Sequence, residues 1–252
     1  MNDITRLFSG SRALYGMERW ELFQRSHVIV VGLGGVGSWA AEGLVRSGIG
    51  AITLCDLDEI CTTNTNRQLH TTTKTIGRSK IQVLKDRFIE INPNLKVHLI
   101  NDFMERENTP EILSKGNYDF VLDATDQVWS KCNMLHWCFH NKTKIITVGA
   151  SAGLTSPIGL KVEDLNRCQG DPLLRFCKKS LINKMGLPKK EHRKKWRLPA
   201  VYMPKPAHDN LKKNCVNDDK GASHCDGQMG SSVFVTASMG FMASGYILDH
   251  LQ

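Results

Sequence analysis

The chain has 252 residues, 41% of them hydrophobic, so it can bury a core as one domain with or without a small appendage. Its 33 Lys and Arg residues exceed its 25 Asp and Glu residues, and the formal net charge of +8 favours an anionic partner such as a nucleotide or a nucleic acid. Eight scattered cysteines without a CxxC pair argue against a disulfide scaffold. We therefore expect reduced thiols, no zinc site and a cytoplasmic protein, with association with a mitochondrial surface left open.

The first two-thirds of the chain alternate between predicted strands and helices. Residues 1–25 predict a helical arm, and MNDITRLFSGSRALYG lacks the apolar core of a secretory signal. The predicted strands that follow are HVIVV (27–31), AITLCD (51–56), KVHLI (96–100), YDFVLD (118–123) and KIITV (144–148). Helix-length stretches separate them, notably SWAAEGLVRSG and SKIQVLKDRFIEINP. This order predicts an α/β, Rossmann-like nucleotide-binding domain with a mostly parallel sheet over residues 26–165.

The pattern changes after about Val162. Residues 166–252 are charged, broken by prolines and poor in strand signal, and they predict a helix near 171–185, a long basic connection and a closing helix from about Ser231, packed on the same domain. Residues 229–248 carry no charge over a length that could span a bilayer. Their many Gly and Ser residues favour a buried, small-residue helix instead, so we predict no membrane span.

A glycine-rich turn follows the first predicted strand. The motif GxGGxG, formed by Gly32, Gly34, Gly35 and Gly37, stands between a strand and a helix, where backbone amides can approach a phosphate. Asp56 ends the next strand, at the place where a carboxylate accepts ribose hydroxyls. These features fit NAD, FAD or an adenine nucleotide, and the alternative is that the glycines serve only the packing of the turn.

Polar residues that follow the turn in the sequence help to decide between NAD, FAD and an adenine nucleotide. Asn64, Arg67 and Gln68 follow the acid closely, and Lys80 begins the next predicted helix. Two cations and two amides suit a triphosphate, whose charge must be neutralised as pyrophosphate leaves, better than an oxidised nicotinamide. The pattern therefore favours ATP over NAD.

At this point the sequence resembles a known superfamily. GxGGVGS, the pair Asp56 and Asp58, the N-x-x-R-Q motif, Lys80 and the D-A-T-D of residues 123–126 are similar to the adenylation domain of the ubiquitin-activating superfamily, which includes the sulfur-carrier adenylating enzymes. The resemblance covers about residues 5–165. It implies that the glycine loop, Asp58 and Asn64 hold ATP, that Asp56 binds ribose, and that Arg67, Gln68 and Lys80 contact phosphates.

The same resemblance implies a metal and an arm residue. Asp126 would help to bind Mg²⁺, although a strand-end cap is the plainer alternative for this carboxylate. An arginine of the N-terminal arm would reach the triphosphate of the partner subunit in a homodimer, with Arg12 as the candidate and Arg6 as the second choice.

A narrower resemblance covers nearly the whole chain. SGSRALYG, GIGAITLCDLDEICTTN, TNTNRQLH and HCDGQMGSSVFVTASMGFMASGYIL are similar to the tRNA threonylcarbamoyladenosine dehydratase family. That family implies ATP-dependent cyclisation of threonylcarbamoyladenosine at position 37 of ANN-decoding tRNAs, with the anticodon loop as partner and a sulfur-transfer protein as a possible second partner. The carboxylate would be adenylated, after which an internal atom of the carbamoyl group closes the ring and releases AMP.

Alternatives remain at the level of the sequence. The chain could activate a ubiquitin-like or sulfur-carrier protein, although the CxxC pairs typical of those branches are missing, or it could be an NAD-dependent dehydrogenase or a nucleotide sensor. Cys225 is either an acyl-accepting nucleophile or, as we prefer, a small buried residue. His70, His208 and His224 receive no role.

The basic segment PKKEHRKKWR, residues 188–197, is the predicted tRNA-binding segment. Its cations are Lys189, Lys190, Arg193, Lys194, Lys195 and Arg197. Phosphate contacts from this segment would make affinity for RNA strongly salt-dependent, whereas a lone charge run is otherwise a solvated loop. Trp196 could stack on an unpaired base or anchor the loop to the core.

Overall fold

Strands and helices alternate along the chain in the computed structural model, which describes residues 3–189, 195–204 and 230–252. The strands are β1 (His27–Val31), β2 (Ala51–Cys55), β3 (Lys96–Ile100), β4 (Phe120–Asp123), β5 (Ile145–Val148), β6 (Lys161–Asp164) and β7 (Pro199–Tyr202). The helices are α1 (Asp3–Leu7), α2 (Ser9–Tyr15), α3 (Met17–Arg25), α4 (Gly37–Ser47), α5 (Lys80–Ile91), α6 (Thr109–Lys115), α7 (Val128–Asn141), α8 (Pro172–Asn183) and α9 (Val233–His250). All five strands predicted from the sequence are confirmed, within one or two residues.

The seven strands form one sheet in the order β3-β2-β1-β4-β5-β7-β6. Every neighbouring pair is parallel except β6 and β7, which are antiparallel. The interior strands β1, β4 and β5 are buried almost throughout, which explains their unbroken apolar runs. The predicted α/β fold with a mostly parallel sheet is confirmed.

The sequence did not predict two of the observed strands, β6 and β7. β7 pairs with β5 through Thr147 opposite Ala200 and Val148 opposite Val201, and β6 covers its other edge. The expectation of a strand-poor segment after Val162 was wrong at β7. This strand has four residues and begins with a proline next to a basic run, and its partner β6 is half-exposed and charged, as edge strands often are.

The closing helix α9 packs on α4 with little space between them. A Cβ added at Gly240 would lie 2.5 Å from the carbonyl oxygen of Val36, and one added at Gly43 would lie 2.8 Å from Ser244 Oγ. The small residues of α9 therefore allow two helices to approach closely, which confirms the predicted buried helix. Among the described helices, none has both the length and the apolar character to cross a bilayer.

Candidate functional site

A cavity of about 1670 Å³ opens at the carboxyl ends of the central strands. Strands β1 and β4 are neighbours, but the chain leaves them in opposite directions, towards β2 on one side and β5 on the other. Loops after adjacent strands separate at such a point and leave a crevice. The predicted ligand-binding residues that line the cavity are Gly32, Gly34, Gly35, Asp56, Asp58, Asn64, Arg67, Gln68, Lys80 and Asp126.

The glycines of the turn differ in how strictly the fold requires them. Gly32 has a φ of +83°, and a Cβ at Gly37 would lie 1.8 Å from the carbonyl oxygen of Gly32, so both are required by the turn itself. Gly34 has room for a Cβ, whose nearest neighbour would be Gln68 Nε2 at 3.7 Å. The packing alternative thus explains Gly32 and Gly37, while Gly34 leaves backbone open to the cavity.

Asp56 is fixed at the end of β2 by backbone donors. Its Oδ2 accepts a hydrogen bond from the Leu33 amide at 2.6 Å, and its Oδ1 accepts one from the Asp58 amide at 2.9 Å. Burial raises the pKa of the Asp56 carboxyl, and the nearby charge of Lys80 opposes that rise. The carboxylate is therefore tied to the glycine loop that follows β1, and it lines the cavity.

Lys80 lies at the start of α5 between two carboxylates. Its ammonium is 2.7 Å from Asp58 Oδ2 and 3.8 Å from Asp56 Oδ1, and its side chain is almost fully buried whereas that of Asp58 is half exposed. A buried ammonium needs such partners. A phosphate entering the cavity could replace the exposed Asp58 carboxylate as the partner of Lys80.

The loop after β2 positions the other predicted polar residues. Asn64 caps a short 3-10 turn by accepting a hydrogen bond from the Cys61 amide at 3.1 Å. Arg67 donates to the Thr63 carbonyl at 2.8 Å, and Gln68 is buried with its Oε1 unpaired among the described residues. Arg67 is thus held at the cavity wall, and Gln68 retains hydrogen-bonding capacity for a ligand.

His70 is a buried residue of this loop that received no role from the sequence. Neither ring nitrogen has a hydrogen-bond partner within the described ranges. Burial lowers the pKa of His70 from its ordinary 6.5 to about 3, with the Lys80 charge acting in the same direction. The imidazole is therefore neutral at physiological pH and adds no charge beside Lys80.

Asp126 lies in the loop after β4 with an exposed side chain that faces the cavity. In the described part of the chain no group of three or more His, Cys, Asp and Glu residues could hold a metal by itself. Mg²⁺ commonly takes one or two protein carboxylates and completes its shell with water and substrate phosphates. A single open carboxylate fits that requirement.

A buried ion pair beneath this loop was missed by the sequence analysis. Lys131 of α7 is fully buried, and its ammonium donates to Asp123 Oδ2 at 2.8 Å and to Thr147 Oγ1 at 3.0 Å. Asp123 Oδ1 accepts hydrogen bonds from the amide and hydroxyl of Thr125. The network ties α7, β4 and β5 to the loop that carries Asp126. The available signal was a single lysine in a helix that contains no Asp, Glu or Arg.

An apolar lip on the β2–β3 side was also not predicted. Leu57, Ile76 and Phe103 line the cavity with 40–42% of their surface exposed, beside the buried Met104. Flat apolar surfaces of this kind suit a purine ring. Scattered loop residues give no periodic pattern, so the sequence held no signal for the lip.

Other predicted residues lie away from the cavity or outside the described residues. Arg12 of α2 is not among the residues lining the cavity of its own chain; its guanidinium packs on Trp20 at 5.5 Å. Trp196 is only 5% exposed, so of its two predicted roles the anchor is correct and base stacking was wrong. Lys189, Lys195 and Arg197 are exposed. Of the residues singled out from the sequence, those that lie outside the described ranges are Lys190, Arg193, Lys194, His208, His224 and Cys225.

Comparisons with known proteins agree with this geometry. The ThiF family model matches residues 9–239. A tRNA threonylcarbamoyladenosine dehydratase of Haemophilus influenzae is 36% identical over 100% of this chain and 95% of its own length. The crystal structure of the Escherichia coli dehydratase in complex with ATP superimposes with a TM-score of 0.88 at 34% identity, covering 100% of this chain and 96% of that one.

More distant relatives match less of the chain. The molybdopterin-synthase adenylyltransferase of Escherichia coli is 30% identical over 52% of this chain and 51% of its own length. The similarity to the Haemophilus influenzae dehydratase covers the whole chain and therefore includes the closing helix. The chain therefore belongs to the ThiF family, and within it to the tRNA threonylcarbamoyladenosine dehydratases.

Proposed function

We propose that this protein catalyses the ATP-dependent dehydration of threonylcarbamoyladenosine at position 37 of tRNA. The observation that carries the proposal is full-length similarity to dehydratases, one of them solved with ATP, around a cavity whose cations and amides suit a triphosphate. The molybdopterin-synthase adenylyltransferase of Escherichia coli matches about half of the chain. Similarity over the whole chain is thus shared with the dehydratases.

The cavity supports activation of a carboxylate by adenylation. The free carboxylate of the modified nucleoside attacks the α-phosphorus, pyrophosphate leaves, and an internal atom of the carbamoyl group then displaces AMP as the ring closes. The oxygen lost in the dehydration leaves within AMP. Arg67 and Lys80 neutralise the phosphates, while Asp56 orients the ribose. The protein need supply no covalent nucleophile, so Cys225 is not required in this scheme.

Two further elements belong to the proposal. Asp126 would hold Mg²⁺, which neutralises phosphate charge during adenylation. Arg12 would act across a homodimer interface, because it lies outside the cavity of its own chain. Exposed apolar side chains of the arm, Leu7, Leu14 and Met17, support burial of this region against a second copy.

The basic segment 188–197 remains the proposed contact for tRNA phosphates. Its described cations Lys189, Lys195 and Arg197 are exposed, and Trp196 anchors the segment in the core. Changing Lys189, Lys190, Lys194 and Lys195 together to alanine is expected to raise the KM for tRNA and to flatten its salt dependence. Unchanged tRNA affinity at low and high salt would remove the segment from the binding site.

Isotope transfer tests the proposed reaction directly. tRNA whose threonyl carboxylate carries heavy oxygen is incubated with the protein and ATP, and nucleosides and nucleotides are analysed by mass spectrometry. We expect loss of one water from the nucleoside and one heavy oxygen in AMP. Label in inorganic phosphate with formation of ADP would instead indicate attack on the γ-phosphate. No dehydrated nucleoside, together with pyrophosphate exchange stimulated by a carrier protein ending in Gly-Gly, would select the alternative function.

Nucleotide preference provides a second test. Calorimetry is expected to show tighter binding of ATP than of NAD, and Asp56→Ala should weaken ATP binding by about 1.5–3 kcal/mol through loss of charge-assisted hydrogen bonds. Preference for NAD would contradict the proposal.

A further inference from the structure

Two helices beside the cavity carry an exposed surface that combines cations with aromatic rings. This α7–α8 surface consists of Trp129, Arg175, Phe176, Lys179 and Lys184. Trp129 is 51% exposed and Phe176 is 54% exposed, although large aromatic side chains are usually buried. None of these residues belongs to the basic segment 188–197.

The charge of the α7–α8 surface is entirely positive. Residues 127–162 and 172–189 contain no Asp or Glu. On α8, Arg175, Phe176 and Lys179 are exposed and lie at helical spacings that bring them to one side of the helix. Such a surface attracts a polyanion and gives an acidic partner no repulsion.

Each aromatic ring of the surface is paired with a cation. The ammonium of Lys184 stands 4.6 Å from the centre of the Trp129 ring, and the guanidinium of Arg175 stands 5.5 Å from that of Phe176. Proteins that bind single-stranded RNA combine these two features, because bases stack on the rings and phosphates contact the cations. An acidic protein partner would use the cations but has less need of the exposed indole.

The position of Trp129 connects the surface to the reaction site. Its chain neighbours Gln127 and Ser130 line the cavity, and Asp126 precedes them. Leu173, in the first turn of α8, lines the cavity as well. A nucleotide next to the reacting one would therefore meet the Trp129 ring as the modified base enters the cavity.

We infer that the α7–α8 surface binds the single-stranded anticodon loop, with Trp129 stacking on an unpaired base and with Arg175, Lys179 and Lys184 contacting phosphates. This inference rests on the proposed function and adds a binding site to it. It assigns the positioning of the loop to α7 and α8, close to the cavity.

Anisotropy titrations of the full chain with a labelled anticodon stem-loop carrying threonylcarbamoyladenosine test the inference. Trp129→Ala is expected to weaken binding by about 5- to 150-fold, the range that corresponds to loss of one base–aromatic stack. Trp129→Phe should restore most of the affinity, because a smaller ring still stacks. Calorimetry with ATP provides the folding control, since ATP affinity should not change in either variant.

The salt dependence of RNA binding distinguishes the contribution of the cations from that of the Trp129 ring. The variant R175Q/K179Q/K184Q should lower the slope of log affinity against log salt by about 2–3, because each lost phosphate contact contributes roughly 0.7–0.9. K85Q/K96Q/K115Q removes equal charge elsewhere and should leave the slope unchanged. Trp129→Ala should reduce affinity with little effect on the slope.

Two results would overturn the inference. If Trp129→Ala binds the stem-loop as tightly as wild type while R175Q/K179Q/K184Q keeps the wild-type slope, the surface does not bind RNA, although the proposed function survives if dehydration continues. If the wild-type protein binds ATP but neither binds nor dehydrates the RNA, the proposed function fails first. Weakened stimulation by a carrier protein in Trp129→Ala would then assign the surface to a protein partner.

Discussion

Lys131 places a full positive charge in the core with side-chain oxygens of Asp123 and Thr147 around it. Replacing it by methionine keeps most of the length of the side chain but leaves Asp123 buried without its cation. We expect Lys131→Met to lower the free energy of unfolding by about 3–5 kcal/mol in urea denaturation.

The double variant D123N/K131M distinguishes the ion pair from simple loss of packing. It removes both charges, so it should be more stable than Lys131→Met alone. Equal stability of the two variants would show that the ion pair is not the cause. Lys142→Met, which changes an exposed lysine at the end of the same helix, should have little effect.

His70 should make the protein sensitive to acid. Its pKa is about 3 in the folded chain and near 6.5 when unfolded, so the unfolded state takes up a proton first as the pH falls. Stability from this residue is complete above about pH 6.5 and is lost progressively down to about pH 3. Urea denaturation across this range should show a smaller loss in His70→Gln than in wild type. Parallel pH profiles would contradict the assigned burial effect.

The sequence predicted the charged residues that line the cavity better than the residues that hold or extend its walls. Lys80, Arg67 and Asp56 stood out in the sequence because charged residues at these distances behind a glycine turn are typical of a nucleotide site. Lys131 and Phe103 did not stand out, because their roles depend on strands and loops distant in the chain meeting in space. Trp196 had two possible environments, and only tertiary packing decides between them.

At the level of elements, the crossing of α4 and α9 depends on glycine. A Cβ at Gly240 would meet backbone atoms of Val36 and Ala40 at 2.5 and 2.9 Å, so Gly240→Ala must push the helices apart. We expect a loss of about 1–3 kcal/mol of stability, as is usual for overpacking. Thermal or urea denaturation measures it.

Gly245 is the matched control on the same helix. A Cβ there would meet no atom within 4 Å among the described residues, so Gly245→Ala should be neutral or stabilising by about 0.5–1 kcal/mol through helix propensity. Equal losses in the two variants would show that close approach at Gly240 is not limiting.

The strands differed in how well sequence predicted them, for a physical reason. β1, β4 and β5 lie in the middle of the sheet and need apolar residues on both faces, which produces a local signal. β7 begins with a proline beside a basic run, and it gains its stability from pairing with β5, a partner some 50 positions earlier in the chain. A strand that depends on such pairing leaves little trace in local composition.

At the scale of the whole molecule, the proposed role of Arg12 requires two copies of the chain. If Arg12 of one copy serves the cavity of the other, Arg12→Ala and Asp126→Ala subunits are each inactive alone, yet a mixed dimer contains one intact site. Mixing them after reversible dissociation should restore part of the dehydration activity. A fully active monomer in analytical ultracentrifugation, or no recovery from proven heterodimers, would reject the assignment.

Residues 230–236 complete one wall of the cavity. Asn66 Nδ2 donates to the Ser231 carbonyl at 2.8 Å, the Gly153 amide donates to the Gly230 carbonyl at 2.8 Å, and Thr236 of α9 lines the wall. A ribosome synthesises the glycine turn long before it reaches these residues. A chain that ends before Gly230 therefore lacks this part of the cavity wall.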